Sequence, residues 1–114
     1  MSQLVVRDLM PTLKRLRRMS ERDRKQFIRR SDSRLIKCIC ECTKNVLKGR
    51  VPLSRRQLKK LSSWKRCMRI LSTRKPSLKT KKAVLLQKGG FLGALLAPVL
   101  SFLGGIVSSK IAGQ

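Results

Sequence analysis

Apolar positions recur at three- and four-residue intervals over most of the chain. Val5, Leu9, Leu13 and Leu16 form a stripe that predicts a first helix over Gln3–Met19. Pro11 lies inside it and must either kink that helix or start it. Ser20–Arg30 reads as a second, short helix with Phe27 and Ile28 as its apolar contact. Ser20 followed by Asp23 has the spacing of a capping box, although Asp is a shorter arm than Glu. Ser31 or Asp32 can cap a third helix running to about Lys48. There Leu35, Ile39, Thr43 and Val46 lie beside a second stripe of Ile36, Cys40, Thr43 and Leu47. So wide an apolar face predicts the central, most buried helix, with Gly49 at its C′ position. After Val51-Pro52-Leu53, the pair Ser54 and Gln57 opens a fourth helix. It carries Leu58, Leu61, Trp64, Met68 and Leu71 to about Ser72, with Arg55, Lys59, Arg66 and Arg69 on another face. Residues 73–88 hold Pro76 and a dense set of cations, which predicts a linker or a short frayed helix.

The pattern changes at Gly89. From there to Ser109 no residue is charged. Gly93, Ala97, Ser101, Gly105, Ser109 and Gly113 recur every fourth residue, a small-residue seam of the kind that lets helices approach closely. Leu92, Leu95, Val99, Phe102 and Ile106 cover much of the remainder, and Pro98 adds a kink. Three readings stay open for this tail. It is long enough to span a bilayer, with the basic flank holding the body on the cytoplasmic side. It could also act as a reversible membrane-active or self-associating peptide. Or it packs on the helical body.

Charge sharpens the division. The chain has 114 residues, 29 lysines and arginines, five acidic residues and a formal net charge of +24. All five acids, Asp8, Glu21, Asp23, Asp32 and Glu41, fall in the first 41 positions. Cys42–Gly90 contains 16 cations and no acid. Such a chain repels itself and seeks an anionic partner, either nucleic acid or an anionic membrane face. The architecture expected is all-α: a small basic four-helix body followed by a Gly-rich apolar helix. Its divisions are 1–75, a basic helical domain; 76–90, a basic linker; and 91–114, the apolar tail. Some 75 residues before the linker make a marginal core for a free-standing fold.

The candidate chemistry is correspondingly narrow. Arg55, Arg56, Lys59, Lys60, Lys65, Arg66, Arg69, Arg74, Lys75, Lys79, Lys81 and Lys82 are the candidate nucleic-acid contacts. Neutralising phosphates needs only positive charge density, so no sequence readout is implied. Trp64 and Phe27, the aromatics of the body, both fit apolar stripes, which argues against a base-stacking surface. Cys38, Cys40, Cys42 and Cys67 raise the question of zinc. On a helix, however, Cys40 points away from Cys38 and Cys42, and buried small apolar side chains are the better reading. No signal-peptide pattern opens the chain, so a reduced intracellular or nuclear setting is expected for these thiols. No metal and no cofactor are expected. The absence of histidine removes imidazole acid–base chemistry, and an enzyme is not expected.

Gln87-Lys88-Gly89-Gly90-Phe91, followed by Leu-Gly-Ala-Leu-Leu-Ala-Pro, resembles the C-terminal part of adenovirus core protein X, the mu precursor. The chain as a whole is similar to short basic proteins of Polintons and adintoviruses. The close match covers residues 86–105, whereas residues 1–75 share only the charge. The resemblance implies a virion core protein in the host nucleus that condenses double-stranded DNA. It also implies a precursor cut after Gly90 by a viral cysteine protease, with Gln87, Lys88, Gly89, Gly90 and Phe91 as the site. That protease prefers Met, Ile or Leu where this chain has Gln87. The tail would then be a temporary part of the protein, holding it to a membrane, a capsid interior or its own copies.

Overall fold

The computed structural model describes the backbone of residues 8–112 and the side chains of residues 8–103. Val5, Gly105, Ile106, Ser109 and Gly113 of the stripes above lie outside the described side chains. The fold is all-α, with seven helices among the described residues: α1 (Met10–Arg18), α2 (Glu21–Arg30), α3 (Ser33–Leu47), α4 (Arg55–Ser62), α5 (Lys65–Ser72), α6 (Leu78–Gln87) and α7 (Gly89–Ala112). Among the described residues six helices therefore precede the apolar one, where four were expected.

Local chemistry explains most of the boundaries. Pro11 sits in the first turn of α1, where its missing N–H has no helical partner to lose. Ser20 caps α2 by accepting from the Asp23 amide at 3.2 Å. Asp32 caps α3 through the Leu35 amide at 3.2 Å. Ser54 and Gln57 close a full capping box on α4, with both reciprocal bonds formed at 3.1 and 3.0 Å. At the end of α3, Gly49 adopts φ +74°, its amide reaches the Val46 carbonyl and the Arg50 amide reaches Asn45. This is a Schellman cap, which requires the left-handed conformation that glycine takes without strain.

One prediction fails here, and one open choice is decided. The fourth helix breaks at Ser63–Trp64 into α4 and α5. The hydroxyls of Ser62 and Ser63 donate to the Lys59 and Lys60 carbonyls at 2.7 and 2.8 Å. These bonds compete with the helical ladder at its weakest point. Past the break the apolar stripe no longer runs straight, and Leu58 stays 58% exposed. Residues 73–88, read as a linker or a short frayed helix, take the second form. Ser77 accepts from the Thr80 amide and starts α6, a ten-residue helix. Leu78 and Leu85 of α6 face inward, and Lys81 lies between them on the same face.

The apolar tail is inside the structure. Phe91, Leu92, Leu95, Leu96, Val99 and Leu100 join Leu13 and Leu16 of α1, Ile28 of α2, the wide face of α3 and Leu61 of α4 in one core. α7 packs against α1, α2, α3, α4 and α6, so it is as central as α3. The radius of gyration is 13.6 Å, close to the about 13 Å of a compact chain of this size. Pro98 is buried within the helix. Gly89 and Gly93 let α7 come close to α2. A Cβ at Gly89 would stand 2.7 Å from Glu21 Oε1, and one at Gly93 would stand 2.6 Å from Arg24 Nη1. The same Arg24 donates from Nε to the Leu16 carbonyl at 2.9 Å, which ties α1, α2 and α7 together.

Candidate nucleic-acid interface

α4 and α5 are each two turns long, and each turns a narrow edge inward. On α4 that edge is Leu61 with half-buried Gln57; Arg55, Arg56, Lys59 and Lys60 occupy the opposite side and are exposed. On α5, Cys67, Met68 and Leu71 are buried while Lys65, Arg66 and Arg69 are exposed. Seven cations thus project from two consecutive short helices with no acidic residue in either. Arg74 and Lys75, in the following loop, and Lys79, on α6, are also exposed.

Two of the twelve candidates are placed differently. Lys81 is 8% exposed, so its stem lies in the α6 interface and little of the residue is at the surface. Lys82 is half-buried and donates from Nζ to the Ser31 carbonyl at 2.9 Å, which satisfies the chain end of α2. The periodicity of α6 could have flagged Lys81: it lies three residues after Leu78 and four before Leu85. A lysine among many others hid that signal.

The proposed cleavage residues straddle a sharp corner. Gln87 ends α6, Lys88 is the break, and α7 leaves at 99° to α6. Gly89 is buried, Gly90 is exposed and Phe91 is fully buried, with its ring 6.1 Å from that of Trp64. The Gly89-Gly90 backbone is therefore helical in this fold, whereas a protease groove takes an extended strand. Among the described residues no single helix is long and apolar enough to cross a membrane; α6 and α7 pass by length and composition only as this bent pair.

No protein-family model, curated protein or solved structure matches this chain.

The cations have few partners of their own. Among the described residues one ion pair forms, Arg34 with Asp8 at 3.1 Å, and both side chains are more than half exposed. Pairs of this kind are worth at most about 1 kcal/mol. A further cationic feature lies away from α4 and α5. Lys14, Arg17 and Arg18 of α1 line a groove of about 470 Å³ with Leu100 and Ser101 of α7. Nothing in the sequence alone shows that the tail lies beside these three cations.

The cysteines are free thiols, and Cys38, Cys42 and Cys67 are buried. Burial raises the Cys40 thiol above its ordinary range, partly offset by the charge of Lys81. Burial likewise pushes Cys67 up to about 11, with Lys88 pulling the other way. A hydrogen bond with Cys38, and then burial, raise Cys42. The same hydrogen bond with Cys42 lowers the Cys38 thiol. Protonated thiols, favoured at Cys40, Cys42 and Cys67, are poor nucleophiles and poor metal ligands. Among the described residues no group of three or more His, Cys, Asp or Glu side chains is placed to hold a metal ion.

Proposed function

We propose that this protein binds double-stranded DNA without sequence preference, by neutralising phosphates with the outer faces of α4 and α5. The observation that carries this reading is the set of seven exposed cations, Arg55, Arg56, Lys59, Lys60, Lys65, Arg66 and Arg69, on helices that have no acidic residue. Arg74, Lys75 and Lys79 extend the same surface. A duplex carries one negative charge per about 1.7 Å, so a dense cationic face releases many counterions when it binds. The resemblance of residues 86–105 to adenovirus-type core-protein precursors supports the same reading and adds genome condensation in a virion to it.

Cleavage after Gly90 belongs to this proposal and acquires a physical consequence. It would require the first turn of α7 to open, and it would sever six core side chains, Phe91 to Leu100, from the body. A folded precursor would become a looser polycation, better able to follow a bent duplex.

The test is a binding titration against two unrelated duplexes over a range of salt. Seven phosphate contacts correspond to a log–log slope of about −6, equal for both sequences. Binding that is insensitive to salt, or confined to one sequence, rules the proposal out.

A further inference from the structure

Arg74-Lys75-Pro76-Ser77-Leu78 joins α5 to α6, and its first four residues lie outside any helix. Arg74, Lys75 and Ser77 are exposed and Pro76 is half-buried. Ser77 has an extended backbone, φ −68° and ψ 161°. Its Oγ lies at the surface, where it accepts from the Thr80 amide at 3.2 Å and meets Thr80 Oγ1 at 3.1 Å. An arginine three positions and a lysine two positions before a serine, with an apolar residue after it, is the charge pattern that basophilic protein kinases read with acidic pockets. A kinase cleft takes an accessible, extended segment; Ser77 itself is exposed and extended, whereas residues 74–76 form a bend and Leu78 opens α6.

We infer that Ser77 is a phosphorylation site for a basophilic serine/threonine kinase, and that its modification weakens the binding of nucleic acid. In the transfer, Ser77 Oγ attacks the γ-phosphorus of ATP. The Oγ–P bond forms, the bond to the β,γ-bridging oxygen breaks, ADP leaves, and the hydroxyl proton passes to the kinase base. The product carries about −1.5 to −2 charge at neutral pH. Its oxygens can take over the capping of α6, and Arg74, Lys75 and Lys79 flank it in sequence. A phosphate there competes with DNA for those three cations. Other serines suit a kinase less well. Ser20 also follows two arginines, but Arg17 and Arg18 belong to the last turn of α1. Ser31 is half-buried and donates to the Ile28 carbonyl at 2.6 Å.

The modification itself stands apart from the DNA reading; its effect on binding rests on that reading. The full chain is incubated with ATP and the catalytic subunit of a basophilic kinase, and the phosphate is located by mass spectrometry. Ser77→Asn serves as the control, because Asn keeps the cap and has no hydroxyl. The inference predicts one dominant phosphate on Ser77, lost in Ser77→Asn. A dominant phosphate elsewhere, or none, overturns it. Duplex binding is then compared before and after modification. Losing two phosphate contacts lowers the salt slope by about 1.8 and the affinity roughly ten- to thirtyfold at physiological salt. Equal binding of both forms overturns the regulatory half. An unmodified protein that binds no DNA at all refutes the proposed function and leaves the phosphorylation of Ser77 to be judged by the mass spectrum alone.

Discussion

α4 and α7 meet face to face, yet they divide their residues in opposite ways. α7 gives Phe91, Leu92, Leu95, Leu96, Val99 and Leu100 to the core, whereas α4 gives Leu61 alone and turns four cations outward. The most apolar stretch of the chain is what allows the most basic stretch to be ordered. With net charge +24, the basic helices have little apolar surface of their own to set against self-repulsion. The uncharged tail provides it by lying against five of the other six helices. Stability therefore resides mainly in α3 and α7, and the proposed binding in α4 and α5, so substitutions should separate the two properties.

The largest expected effect is on the α7 side. Leu96→Ala removes a fully buried side chain and should cost about 2–5 kcal/mol in urea unfolding. A cost below about 1 kcal/mol would mean that α7 is only loosely attached to the body. A smaller effect is expected at Cys67. Its thiol is pushed up to about 11, so the folded state favours the neutral form. The stability this contributes is fully present below the ordinary thiol range and is lost as the pH climbs through about 11. At pH 8.5 alkylation of Cys67 in the native protein should be at least tenfold slower than in urea. Equal rates would place that edge of α5 in solvent. The smallest effect is at the cap of α4. Ser54→Ala should destabilise the fold by about 1 kcal/mol, because it removes one half of the capping box. If it also abolished DNA binding, the separation of core from binding face would not hold.

The sequence displayed the features that depend on near neighbours. Pro11, the caps at Ser20, Asp32 and Ser54, and the left-handed Gly49 each act within one helical turn, and each is where the pattern placed it. The wide face of α3 was legible in part: Leu35, Ile36, Ile39, Thr43 and Val46 are buried, but Leu47 is 44% exposed, and Cys38 and Cys42, which belonged to neither stripe, are buried as well. Features that depend on tertiary placement were hidden. An apolar run such as 89–109 looks the same whether lipid or protein surrounds it, and only the contacts with Leu13, Leu16 and Ile28 decide between them. The break at Ser63–Trp64 needed serine hydroxyls turned back on the helix, an option that the stripe Leu58, Leu61, Trp64 did not reveal. Among the candidate contacts, ten of the twelve cations are exposed; Lys81 and Lys82 are drawn inward by the packing of α6 on α2 and α3. Lys14, Arg17 and Arg18 became a candidate surface only when α7 was seen beside α1.

The most direct test replaces Arg55, Arg56, Lys59 and Lys60 together with glutamine and measures duplex binding over a range of salt beside the urea midpoint. The four side chains are exposed and point away from the core, so the midpoint should stay at or slightly above that of the unmodified protein. The log–log slope should fall by about 3.6. An unchanged slope would contradict the assignment of phosphate binding to α4, whatever happened to stability.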